Sequence, residues 1–133
     1  MKHLLENSAE SFVLLFFIVT FLQSGIDKIV DWKGNLSFIN DHFKGSPLSH
    51  LAFPLLGLIM IMEIVASITM AYGLYEMISN QGTFFALVGM QLTSLTLVFL
   101  QIGQRLAKDY PGAMCITVYF ILSILGIFIL THF

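Results

Sequence analysis

The sequence predicts an all-α membrane protein: a four-transmembrane-helix bundle with a short amphipathic interfacial helix between spans 1 and 2. Three observations carry that expectation. Of 133 residues, 57% are hydrophobic and only 11% charged, whereas a soluble domain carries about 25% charged residues. Mean hydropathy is +0.88, which leaves too little polar surface for a water-facing globule and makes a bilayer the natural solvent. The apolar residues also fall into four runs, each near the roughly 20 residues a spanning helix needs.

The spans are expected at about 11–30, 51–75, 83–105 and 112–131, within one domain covering 1–133. Breakers agree with those limits. Gly45, Ser46 and Pro47 precede the second span, and Asn80, Gln81 and Gly82 separate it from the third. Asp109, Tyr110, Pro111 and Gly112 separate the third from the fourth. Only Lys2 precedes the first run and no small-residue cleavage site follows it, so that run reads as a retained span. Between spans 1 and 2, NLSFINDHFKG reads as a short helix, capped by Asn35 and ended by Gly45. Leu36, Ile39 and Phe43 share one face, and Asn40, Asp41 and Lys44 the other, as suits a helix lying in the interface.

Charge sets the expected orientation. Lys28, Lys33 and Lys44 surround the 1–2 connection, and Arg105 and Lys108 the 3–4 connection. The positive-inside rule puts both connections in the cytoplasm and both termini outside. A net charge of −2 and the lack of a basic patch argue against nucleic-acid binding.

Polar groups inside the spans are the candidate functional residues. Glu63 falls near mid-bilayer, where an acid costs ~2.5–3.5 kcal/mol on insertion scales and needs a partner. Ser67 lies one turn away on the same stripe. In the third span Gln91, Ser94, Val98, Gln101 and Arg105 recur at spacings of three and four. Gln91 falls level with Glu63, so a Glu63–Gln91 contact is expected, with Tyr119 of the fourth span nearby. Cys115, Tyr119, Ser123 and Gly126 form a face of small and hydroxyl residues suited to close packing.

On the first span Thr20, Gln23 and Asp27 form a row expected to face inward. Asp27 would pair with Arg105 in a cytoplasmic-rim cluster with Gln101 and Asp109. Lys28, rotated by about 100°, would snorkel to the interface. His3, His42, His50 and His132 fall at span ends or in connections and read as solvated, not as metal ligands. The lone Cys115 cannot form an internal disulfide and reads as a packing residue.

Three blocks resemble the DoxX-like family of small bacterial four-helix membrane proteins. They are GIDKIVDW (Gly25 to Trp32), the run from Phe38 to Leu74 with its mid-helix Glu63 and late Gly73, and KDYPGAMCITVYF (Lys108 to Phe120). The resemblance implies the four-helix fold, a location in the bacterial inner membrane, and association with membrane oxidoreductase assemblies. It leads to a first reading as a non-catalytic subunit or assembly factor with a protein partner in a membrane complex. The alternative is a quinone-interacting subunit of an oxidoreductase system, with Glu63, Gln91, Tyr72 and Tyr119 as polar contacts and no intrinsic redox cofactor. A third is a small proton-linked carrier using Glu63; the lack of internal repeats speaks against it.

Overall fold

The computed structural model describes residues 8–45, 52–79 and 81–132. They form five helices: α1 (Ser8–Val30), α2 (Trp32–His42), α3 (Ala52–Ile78), α4 (Phe84–Leu106) and α5 (Tyr110–His132). All but α2 are long and apolar enough to cross a membrane. The chain is therefore a multi-pass helical bundle, as its composition requires. His3, His50, Ser46, Pro47 and Asn80 fall outside the described residues, as does the His132 side chain.

α3 packs between α1 and α4, and α5 closes on α4 with lighter contact to α1. Glycines set the tightest approaches. A Cβ at Gly73 would strike the backbone of Ala86, and one at Gly89 would lie 2.6 Å from the Met70 side chain. These two sites let α3 and α4 touch almost backbone to backbone, the small-residue packing expected in a bilayer. The core around them is Leu14, Phe17 and Phe21 from α1, Ala66, Met70 and Met77 from α3, and Met90 and Leu97 from α4, joined by Leu130 of α5. Most other large apolar side chains face outward, toward what would be lipid.

α2 starts four residues earlier than the sequence suggested. Asp31 alone separates it from α1 and is its N-cap, accepting from the Gly34 amide at 3.3 Å. Asn35, expected to be that cap, instead donates to the carbonyls of Asp27 (3.2 Å) and Asp31 (2.8 Å). Both carbonyls also accept a backbone N–H, Asp27 from Asp31 at 2.9 Å and Asp31 from Asn35 at 3.0 Å, so the Asn35 amide adds a second bond to each and ties α2 to the end of α1. The chain leaves α2 through Gly45 at φ +82°, a conformation that costs glycine nothing. Trp32 packs edge-on against Phe53 at 5.4 Å, and His42 reaches the α4–α5 turn. α2 thus crosses one end of the bundle, from the start of α3 to that turn.

Candidate functional site

The inward face of α1 is Leu14, Phe17, Phe21 and Gly25, all buried. Spaced by three and four, this row continues to Lys28. Gly25 brings α1 onto α3, since a Cβ there would lie 2.7 Å from Ile64 Cγ1. Lys28 then reaches back along its helix, the usual side-chain direction. Its ammonium lies 2.6 Å from Ser24 Oγ and 2.8 Å from Glu63 Oε1. Glu63 Oε1 receives no donor in hydrogen-bond geometry, so the contact is a close charge pair rather than an aligned hydrogen bond. With Glu63 only 4% exposed, the ammonium is its neutralising partner.

This arrangement corrects three sequence expectations. Lys28 does not snorkel outward; it is the partner that Glu63 requires. Gln91 does not meet Glu63, because it projects from the exposed face of α4. Gln23 and Asp27 are exposed, Thr20 is half-buried, and Arg105 is exposed with its guanidinium over the Tyr110 ring at 5.6 Å. Among the described residues the ion pairs are Lys28–Glu63 and His42–Asp109, and no Asp27–Arg105 pair forms. The physical reason is packing. The bulky Leu–Phe–Phe–Gly row of α1 fills the core, which turns the polar row of the same helix outward.

The remaining expected site residues disperse. Ser67 donates to the Glu63 backbone carbonyl at 2.7 Å, not to its carboxylate. Ser94 donates to Ser123 at 2.8 Å, and Ser123 to the Phe120 carbonyl at 2.7 Å. This small buried hydroxyl chain joins α4 to α5. Tyr119 packs on Phe16. Gln101 donates to Thr117 at 3.4 Å. Of the expected close-packing face, Ser123 and Gly126 are buried while Cys115 is exposed.

Asp109 is the one expected rim residue that joins a cluster. Its Oδ1 accepts from the Gly112 amide at 3.0 Å, capping α5. Its Oδ2 lies 3.5 Å from His42 Nε2, which also meets Gln104 Oε1 at 2.9 Å. A carboxylate can only accept, so Nε2 carries the hydrogen and Nδ1 of a neutral ring is left as an acceptor. Gly112 makes room for the group, since a Cβ there would sit 2.6 Å from Asp109 Oδ2 and 2.9 Å from Gln104 Nε2. His42 therefore joins a structured cluster, where its place in a connection suggested plain solvation.

Between these two polar groups lies a cavity of about 370 Å³. One face of α2 roofs it with Asn35, Phe38, Ile39, His42 and Phe43, in the 3–4 spacing of an amphipathic helix. Leu55, Leu56 and Ile59 of α3 and Phe99, Leu100 and Gly103 of α4 form the walls, with Lys28 and Asp109 at its polar margins. Leu58, Phe99 and Ile102 border the cavity and are also exposed on the bundle surface, so it opens sideways between α3 and α4. The volume and the mix of apolar walls with few polar groups are those of small-molecule sites. Sequence reasoning missed Lys28, His42 and Gln104. For Lys28 the 14–17–21–25–28 spacing was an available signal; His42 and Gln104 meet only through the tertiary fold.

No family model matches the chain, and no curated protein or solved structure does so either.

Proposed function

We propose that the chain is a membrane subunit that binds a lipophilic small molecule of the quinone class, as part of an oxidoreductase assembly of the DoxX-like kind. The observation that carries this reading is the cavity under α2. It is apolar enough to take a prenylated ring from the bilayer, and it opens sideways where such a molecule travels. Lys28 supplies a donor for a carbonyl oxygen at one margin. His42, held by Gln104 and Asp109 at the other, supplies an imidazole that can take or give a proton. The Phe38 ring stacks on His42 at 5.5 Å, extending a flat surface suited to a planar head group. With a single cysteine, the chain would depend on a partner for electrons. Lys28, Lys33, Lys44, Arg105 and Lys108 gather at the α2 end, which supports a cytoplasmic position for the cavity in a bacterial inner membrane.

The test is direct. The protein in lipid nanodiscs is titrated with a short-chain ubiquinone analogue and followed by Trp32 fluorescence, Trp32 being the only tryptophan. Saturable quenching is expected, and saturable binding read by equilibrium dialysis should be lost in Ile59→Trp, which fills the cavity. Absence of saturable binding to the unaltered protein, or full binding with the cavity filled, refutes the reading.

The reading as a non-catalytic subunit or assembly factor draws on a different observation. Gln23 and Asp27 are exposed on α1, where a protein neighbour would serve them better than lipid. If purification in mild detergent yields a stoichiometric protein partner while dialysis finds no quinone, this second reading replaces the first.

A further inference from the structure

We infer that α4 carries a docking face for α4 of a second copy of this chain, with the two Gln91 amides pairing across a two-fold axis along the membrane normal. Phe84, Val88, Gln91, Leu95, Val98 and Ile102 succeed one another at spacings of four and three. Val88 is half-buried and the other five are exposed. Such a row is the seam of a left-handed helix pair crossing at about +20°. Every member is apolar except Gln91, which makes no hydrogen bond among the described residues.

Depth makes that glutamine informative. Gln91 is seven residues past Phe84, so it lies about 10 Å from the helix end at 1.5 Å per residue. Its neighbours one turn away are Leu87, Val88, Ser94 and Leu95; three are apolar, and Ser94 is buried and gives its hydroxyl hydrogen to Ser123 at 2.8 Å. An amide stranded at that depth is costly in hydrocarbon. Another Gln91 meets the need, because a primary amide both donates and accepts. In a homodimer whose copies share one orientation, α4 and its mate run parallel and Gln91 faces Gln91 at equal depth. This is a self-complementary two-fold contact.

The other exposed span glutamine does not fit as its mate. Gln23 is fifteen residues past Ser8, about 22 Å down α1, so it is offset from Gln91 by about 12 Å. Gln23 also stands beside Asp27 near a polar helix end, whereas the one polar side chain a turn from Gln91, Ser94, is buried and turned to Ser123. Arg105 extends the row at its water-facing end, but its guanidinium lies over Tyr110 at 5.6 Å, off the seam. A shallow groove of about 190 Å³ beside the row, between α4 and α5 at Val98, Ile102 and Thr117, offers space for side chains of the second copy.

Disulfide trapping in native membranes tests the proposal, in a Cys115→Ala background. Leu95→Cys and Val98→Cys should form dimers on mild oxidation, while Tyr72→Cys on the exposed face of α3 should not. Resonance energy transfer between labelled copies in vesicles should then show Gln91→Leu weakening association by about 3- to 20-fold, the range for one intramembrane hydrogen-bonded pair. Gln91→Asn should retain part of it. Cross-linking at Tyr72→Cys alone, monomers at every protein-to-lipid ratio, or association unchanged in Gln91→Leu would each overturn the proposal.

Discussion

Replacing Lys28 by methionine keeps an unbranched side chain only one atom shorter and removes its charge. At 2.8 Å, two unit charges attract by about 6 kcal/mol at an effective dielectric constant of about 20. Desolvation offsets much of that in the intact pair. The loss of one partner is not so offset. Breaking a buried pair costs about 3–5 kcal/mol, and an unpaired acid at mid-membrane costs ~2.5–3.5 kcal/mol. Lys28 is 17% exposed, so some screening persists and the lower values apply. We expect Lys28→Met to destabilise the bundle by about 3 kcal/mol, a factor of more than 100 in the folded-to-unfolded ratio. Glu63→Met should destabilise similarly, because it strands the ammonium. The double variant should recover most of the loss, since two apolar side chains of similar volume need no solvation. Reversible unfolding in mixed micelles by added dodecyl sulfate, read by Trp32 fluorescence, measures all four states of the cycle. If each single substitution costs under about 0.5 kcal/mol, or the double variant loses the sum of the two, the charge pair does not hold Glu63 in place.

Two further expectations rest on close contacts. Gly73→Ala should cost about 1–3 kcal/mol by overpacking, because its Cβ meets the Ala86 backbone; Gly57→Ala, with only Trp32 Cη2 at 3.8 Å, should be neutral or gain up to ~1 kcal/mol of helix propensity. Equal unfolding curves for the two variants would contradict the α3–α4 approach described. Asp109→Ala removes both the α5 cap and the His42 partner, so a loss of about 0.5–2 kcal/mol is expected from the cap alone. Asp109→Asn should keep the cap yet free His42, seen as a faster-exchanging imidazole proton by NMR; an unchanged His42 signal would show that Gln104 alone holds the ring.

Much of the fold was legible because hydrocarbon admits few alternatives. A spanning segment must bond its own backbone, so twenty apolar residues mean a helix, and breakers such as Gly82 and Pro111 mark its ends. The site was less legible. Glu63 announced its need for a partner by its depth, but the choice between Gln91 and Lys28 depended on how each helix is rotated. The polar rows of α1 and α4 suggested inward faces, as they would in a water-lined bundle. Here the inward face of α1 belongs to Leu14, Phe17, Phe21 and Gly25, whose size and shape fill the core.

By itself, then, the sequence determined that the chain is a bundle of four membrane-spanning helices with a fifth, amphipathic one after the first. It also determined that an acid within the second span must be neutralised, because both follow from the free energy of placing polar groups in hydrocarbon. Only the tertiary structure decided that Lys28 does the neutralising, that His42 joins Gln104 and Asp109, and that α2 roofs a cavity while Gln91 faces outward. Hydrophobicity alone does not set the rotation of a helix that is apolar on nearly every side. Contacts such as Gly25 on Ile64 and Gly73 on Ala86 set it, and they exist only once the helices have met.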